Sequence, residues 1–387
     1  MCKNLGSGDM DRNFEQTDML RQPSLAAAGA VLTIDLGALR ENYRRLNARL
    51  TGGARAAGVV KADGYGLGAV AVAHALQAEG CDRFFVAHVE EGVCLRSALG
   101  DGPAIFVLNG LPPGAEGEAM VSRLTPVLNS VEQLAAWRAA AHRAGRSLPA
   151  ALQVDSGMSR LGMAAAEVEA VAGDAASLDG VDVVLVMSHL ACADEPHHPA
   201  NAAQLLEFER LRAMLPAAPA SFANSSGIFL GSAYHFDLAR PGAALYGINP
   251  TPGHTNPMLP VVRLDARVIQ TRTVEEGAGV GYGHIYFAAG SLRTATISLG
   301  YADGWHRRGA AAAFFGGKRL PFIGRVSMDS IILDISALPE SRLQAGDLVE
   351  VIGPSQDVDQ VAALTGTIGY EVLTSLGNRF HRRIVNG

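Results

Sequence analysis

A (β/α)8 barrel followed by a mainly β domain is the fold class this sequence predicts, and three observations carry it. Eight short apolar runs alternate with helical stretches between about Val31 and Tyr246. After about residue 255 the texture changes to β-rich runs broken by glycines and turns. At 387 residues the chain is also too long for one ordinary core, which argues for about two domains.

The eight runs are Ala57–Ala62, Arg83–His88, Ala104–Asn109, Leu124–Asn129, Ala150–Asp155, Val181–His189, Ala220–Asn224 and Asp237–Tyr246. Near-continuous apolar runs suit parallel strands buried on both faces, and parallel strands need long crossovers. Amphipathic helices supply those crossovers. Val131–Ala144 is one, and its start, Ser130 to Gln133, has the form of a capping box. Eight such units in succession suggest a closed barrel, with an open doubly wound sheet as the alternative. The later runs Val262–Thr273, Leu292–Ser298, Leu320–Ile335 and Asp347–Ile352 lack helical periodicity. The expected divisions are a flexible tail over 1–29, the barrel over 30–255 and the β domain over 256–387, with Gly253–Pro257 as a linker.

Composition excludes several classes of function. Hydrophobic residues make up 48% and charged residues 18%, an ordinary globular balance, and the net charge of −6 offers nothing to nucleic acid. No apolar stretch approaches the roughly 18 residues of a membrane span, and the N-terminus lacks the pattern of a secretory signal. Cys2, Cys81, Cys94 and Cys192 are scattered, which fits free thiols in a cytoplasmic protein better than a disulfide framework or a zinc site. No metal is expected.

Of the 32 basic residues only Lys3, Lys61 and Lys318 are lysines. Lys61 ends the run Gly58-Val59-Val60, where a barrel places its working residues. An amine at an apolar strand end is partly desolvated, which lowers its pKa and favours imine formation with a carbonyl. A surface lysine would be the ordinary reading, but the other two lie in the tail and in the turn Gly316–Arg319. The glycines after Lys61 are spaced G-x-G-x-G and do not make a dinucleotide loop. Other polar groups close other strands: Asp155–Arg160, Ser188-His189, Asn224–Gly227 and Arg240–Gly242. Small glycine-bearing turns present N–H groups and hydroxyls to a phosphate. Each turn alone is commonplace and a lone histidine is usually a satisfied core residue, yet together they describe an anion site beside an amine.

The segment Val59–Gly68 (VVKADGYGLG) resembles the lysine motif of the alanine racemase family. The resemblance continues in order through Asp155–Gly162 (DSGMSRLG), Ser188-His189, Asn224-Ser225, Arg240–Gly247 (RPGAALYG), Gly281–Tyr286 (GYGHIY), Gly300–Gly304 (GYADG) and Gly324–Asp329 (GRVSMD). It implies a barrel followed by a β domain, pyridoxal 5'-phosphate as cofactor, and interconversion of L- and D-alanine, with supply of D-alanine to the cell wall or catabolism as the biological role. Racemisation needs an acid or base on each face of the substrate Cα. The resemblance implies Lys61 on one face, joined to the cofactor, and Tyr282 on the other, tuned by His189 and Arg240.

The resemblance also implies that Arg240 faces the pyridine nitrogen, and that Arg160 binds the cofactor's phenolic oxygen and the substrate carboxylate, helped by the Met328 N–H. Tyr65, Asn224, Ser225, Gly242 and Ala243 would hold the phosphate end. Tyr282, Tyr301, Met328 and Asp329 would come from a second subunit, making a homodimer with shared sites. Two positions depart from the family pattern. Gln153 stands where many members carry a carbamylated lysine, and Asn378 stands where many have a tyrosine that narrows the substrate channel. Alternatives are a racemase of broader specificity or one for serine or a basic amino acid. A decarboxylase of the same fold would need a carboxylate where Arg240 stands. A non-catalytic carrier of the cofactor would lack the β domain.

Overall fold

The computed structural model describes residues 24–308 and 311–386 and divides the chain into two compact units, 39–259 and 1–38 with 260–387. In the unit 39–259 the expected strands form and pair in parallel. Numbering from the chain start, β1 is Ala30–Asp35, followed by β2 (Arg55–Ala56), β3 (Gly58–Val59), β4 (Arg83–Val86), β5 (Ala104–Val107), β6 (Thr125–Leu128), β7 (Leu148–Gln153), β8 (Val181–Met187), β9 (Ala220–Ser221) and β10 (Leu238–Ala239). β3 to β9 make one parallel sheet in sequence order, and β10 pairs in parallel with β2.

Backbone hydrogen bonds complete the ring. Arg240 N donates to Ala223 O at 2.8 Å, Ala57 N to Ala239 O at 2.9 Å and Val59 N to Pro241 O at 3.2 Å. The eight expected runs therefore close a (β/α)8 barrel. The apolar content of those runs is buried on both faces of the closed sheet: Phe84, Phe85, Ile105, Val107, Val127, Leu152 and Val186 are all buried, and the Phe85 and Phe106 rings, opposite each other in register, stack at 4.6 Å. The helix Val131–Ala144 starts as its sequence indicates, with Ser130 accepting from Gln133 N, and stops at Gly145 in the left-handed region.

The second unit holds β11 (Val262–Val274), β12 (Gly279–Val280), β13 (Tyr286–Phe287), β14 (Leu292–Ile297), β15 (Ala312–Phe315), β16 (Lys318–Ile323), β17 (Ile331–Asp334), β18 (Leu348–Ile352) and β19 (His381–Val385). Its main sheet runs β14-β17-β16-β15-β18-β11-β1-β19, and β14 also pairs with β11, so six strands close on themselves. β11 manages both pairings because a bulge between Val268 and Gln270 bends it. The expected run Leu320–Ile335 divides into β16 and β17, separated by the loop that carries Arg325 and Met328.

Two boundaries differ from expectation. β1, expected within the barrel domain, lies antiparallel to β11 and parallel to β19. Its pairing partners lie more than 200 residues away, and no local pattern reports them. Of the tail expected over 1–29, residues 1–23 lie outside the described residues. Residues 24–28 form a turn in which Arg267 donates to Ala28 O and Leu25 O, and Ala28 is buried. Cys81 and Cys192 are free thiols as expected, and Cys2 lies outside the described residues. No helix among the described residues is long and apolar enough to cross a membrane.

Gly162 closes the loop after β7 with φ +107°, and a Cβ there would stand 2.7 Å from the Val154 carbonyl carbon. Gly162→Ala should therefore cost roughly 2–4 kcal/mol, from the strained φ and the backbone clash together. Urea unfolding measures it, and a loss under about 1 kcal/mol would show that the loop yields.

Candidate active site

Lys61 directly follows β3 and Val60, at the end of the strand where a barrel gathers its chemistry. The chain then makes an unusual turn. Ala62, Asp63, Gly64 and Tyr65 all have left-handed φ, between 53° and 61°. Left-handed backbone costs a residue with a side chain roughly 1–2 kcal/mol, so the turn needs anchors. Gly64 N donates to Val60 O at 2.9 Å, Gly66 N to Ala62 O at 2.8 Å and Gly68 N to Asp63 O at 2.8 Å. Asp63 Oδ1 accepts from Ala69 N at 2.8 Å, and Glu91 Oε1 accepts from Ala62 N at 2.6 Å. Tyr65 is thereby buried, its ring stacked on Tyr246 at 4.5 Å, while the Tyr246 hydroxyl donates to Val59 O at 3.0 Å.

Around Lys61 the barrel places cations. Burial lowers the pKa of its amine, the positive charges of Arg160 and Arg240 add to that, and Glu91 opposes them. Arg240 is buried, and its guanidinium donates to Ser221 Oγ, to Ser188 O at 2.6 Å and to His189 Nδ1 at 3.3 Å. Burial brings its pKa down to about 9, so it remains protonated at neutral pH. His189 is held at about 3, first by burial and then by the charges of Arg240, Arg160 and Lys61, and is neutral. With Nδ1 accepting from a guanidinium, the imidazole proton belongs on Nε2. The Ser188 and Ser156 hydroxyls are hydrogen bonded at 2.8 Å behind this group.

The phosphate-type turns lie on the same unit. Ser225 Oγ is buried and accepts from Gly242 N at 3.0 Å and Ala244 N at 3.1 Å, and Asn224 Oδ1 accepts from Gly227 N at 2.9 Å. A Cβ on Gly242 would come within 2.2 Å of the Tyr65 hydroxyl, so only glycine lets these two turns meet. Asp155 Oδ1 collects the N–H groups of Gly157, Met158 and Ser159, which shapes the loop that ends in the exposed Arg160. Gln153 is buried at the end of β7, and no hydrogen bond joins its side chain to Arg160.

The remaining candidates belong to the second unit. Tyr282 is 69% exposed on a short turn, with Gly283 packed beside the Arg325 guanidinium. Tyr301 N donates to Ser327 O at 3.1 Å and Ala302 N to Met328 O at 3.0 Å, so the loops of Tyr301 and Met328 are stitched together. A Cβ on Gly300 would fall 2.2 Å from Met328 O, so this approach requires glycine. Arg379 binds Asp303 at 3.0 Å and Asp329 at 2.7 Å, and Gly377 N donates to Asp303 O at 3.0 Å, which brings the exposed Asn378 to the same loops.

Sequence reading missed Glu91, Ser221, Tyr246 and Arg379. Glu91 was detectable as the third helical residue after His88, a capping-box spacing. Lys318 lies exposed in the β15–β16 hairpin, which leaves Lys61 the amine of the barrel unit.

His189 fixes a stability effect of known sign. Its pKa falls from 6.5 to about 3 on folding, so below pH 6.5 the unfolded chain binds the additional proton. Stability from this residue is complete above pH 6.5 and is lost as pH falls towards 3. Urea midpoints of the cofactor-free protein should fall between pH 7 and 5, and less steeply in His189→Asn. Equal slopes would place the titration elsewhere.

Two family models cover nearly all of the described chain: the alanine racemase N-terminal domain matches residues 34–250 and the C-terminal domain residues 261–384. A catabolic alanine racemase of Mesorhizobium japonicum is 71% identical over 364 residues, 94% of this chain and 95% of that protein. A catabolic alanine racemase of Agrobacterium fabrum is 52% identical, covering 94% of each. The crystal structure of alanine racemase from Bartonella henselae with covalently bound pyridoxal phosphate superposes with a TM-score of 0.89 at 41% identity, covering 92% of this chain and all of that one. With a closed barrel presenting one half-buried lysine, a β-rich second unit and both family models matched in order, this chain belongs to the alanine racemase family.

Proposed function

We propose that this protein racemises alanine, using pyridoxal phosphate carried on Lys61. The observation that carries the reading is the Lys61 amine, desolvated at the barrel mouth between Arg160 and Arg240 and joined by a rigid turn to the buried Tyr65. The lining suits the cofactor. Gly242 leaves a cradle against the Tyr65 hydroxyl that a Cβ would fill, and Ser225, Gly242 and Ala243 meet there as an anion-binding turn beside Asn224. Tyr65 and these groups would hold the phosphate, Arg240 would face the ring nitrogen and Arg160 the phenolic oxygen.

When bound, the cofactor supplies the electron sink that acidifies the substrate Cα–H. The chain's own groups do the rest. Lys61 has its proton affinity lowered by burial and by two guanidinium groups, which favours the free amine that takes a Cα proton on one face. Arg240 keeps its proton and, facing the ring nitrogen, would leave that nitrogen without one, which would restrain side reactions. His189, neutral and protonated on Nε2, presents a donor towards the phenol assigned to the opposite face, that of Tyr282. Arg160 and the Met328 N–H position the substrate carboxylate.

Tyr282, Tyr301, Met328 and Asp329 serve the site of a second copy in this proposal. Tyr282, Ile285, Phe287 and Met328 are each more than half exposed, an apolar surface that suits a partner. The relatives named catabolic support a catabolic role over supply of D-alanine to the cell wall. A cytoplasmic location belongs to the same proposal.

Borohydride reduction of the yellow protein should fix the cofactor on the peptide of Lys61, and label found on Lys318 would overturn the assignment. Inactive Lys61→Ala and Tyr282→Phe proteins, mixed and reassembled, should recover activity through one intact site per hybrid dimer. No recovery in hybrids shown to form would place both residues on one chain.

Asn378 bears on substrate breadth. A tyrosine there would narrow the channel, and Asn378 is both smaller and exposed beside the Tyr301 loop. Serine should be racemised measurably, with alanine preferred, since one methylene-sized change in a pocket discriminates by about 1–3 kcal/mol. Asn378→Tyr should lower the serine-to-alanine ratio of kcat/KM. An unchanged ratio would remove residue 378 from the channel.

A further inference from the structure

We infer that Glu91 is a positioning residue for Lys61, its carboxylate tying the end of β4 to the first residue after the reactive amine. Glu91 is the third residue of the helix Val89–Leu99. One of its oxygens does what a capping box requires: Oε2 accepts from Ala87 N at 2.7 Å and His88 N at 3.1 Å. The other oxygen has no part in that helix. Oε1 crosses to the neighbouring strand end and accepts from Ala62 N at 2.6 Å.

Ala62 follows Lys61 and begins the run of left-handed residues, so the direction in which Lys61 leaves the barrel depends on that N–H. The far end of the turn is held separately, by Asp63 Oδ1 on Ala69 N. A carboxylate suits the near end because it accepts at both oxygens, and such charge-assisted bonds are roughly twice as strong as neutral ones. An amide would accept at one oxygen and turn two N–H donors towards other donors. The Glu91 charge is also the anion set against burial, Arg160 and Arg240 around the Lys61 amine, and His189, which feels the Lys61 charge, is neutral. Glu91 thus sets both the direction and the proton affinity of Lys61. It acts through Lys61 and touches no reacting atom itself.

The inference rests on Lys61 as the cofactor-bearing residue, and the test separates the two. Full-length cofactor-free wild type, Glu91→Gln and Glu91→Asp would be labelled with acetic anhydride across pH, with the Lys61 peptide followed by mass spectrometry. Pyridoxal phosphate affinity would be read from the cofactor's absorbance. Glu91→Gln should move the Lys61 labelling midpoint down by about half a pH unit or more, because the nearby anion is gone, and raise the cofactor Kd about tenfold. Glu91→Asp keeps the charge but is one methylene too short to bridge both strand ends. Its midpoint should stay near wild type while its Kd rises about threefold or more. A lower melting temperature in Glu91→Gln, with midpoint and Kd both unchanged, would show a helix cap and nothing more, and overturn the inference. If Glu91→Gln does not fold, an unchanged Kd in Glu91→Asp overturns it alone. Reductive trapping of the cofactor away from Lys61 in wild type would instead refute the anchor, while the labelling midpoint still reports what Glu91 does to the amine.

Discussion

Five consecutive left-handed residues after Lys61, Ala62 to Gly66, are the constraint on which the rest of this molecule turns. Two of them, Ala62 and Tyr65, carry side chains that ordinarily avoid that conformation, and Asp63 tolerates it better. The turn persists because its surroundings over-determine it: backbone bonds to Val60, Ala62 and Asp63 carbonyls, carboxylates at both ends, and a Tyr65 ring stacked on Tyr246. What the strain achieves is placement. Lys61 is turned out at the end of β3 while Tyr65, four residues later, is turned back against Gly242.

The electrostatics follow from that placement. Lys61, Arg160 and Arg240 are positive groups gathered with few anions, and Glu91 is the nearby carboxylate that acts on Lys61. Such a site favours a ligand bearing phosphate and carboxylate groups, whose charges relieve the repulsion. The same charges, together with burial, keep His189 neutral. Arg240 is the pivot between the strands, because its donors reach the ends of β8 and β9 at once.

The β unit builds its surface by a different means. Here glycine permits and arginine secures. Gly300 lets the Tyr301 loop lie against Met328 O, Gly304 lets it lie against Ser375 O, and Arg379 bridges Asp303 and Asp329. The outcome is a set of exposed side chains, Tyr301 and Met328 among them, on a stiff frame.

Periodicity made the eight barrel strands, the helix Val131–Ala144 and most of the later β runs legible, because parallel strands buried on both faces leave continuous apolar runs. The scarcity of lysine singled out Lys61, and ordered motifs named the residues that line the barrel mouth and the exposed β loops. Three features could not be read in this way. β1 belongs with β11 and β19, since strand pairing across more than 200 residues leaves no local trace. The left-handed run at Ala62–Gly66 is hidden because Ala and Tyr carry no signal for positive φ. The bridge from Glu91 to Ala62, like that from Arg379 to Asp303 and Asp329, joins segments that meet only once both are folded. Residue type and spacing record which groups are available and which faces they favour. Which carboxylate reaches which N–H depends on how strand ends are brought together, and that is a property of the closed barrel and the closed sheet.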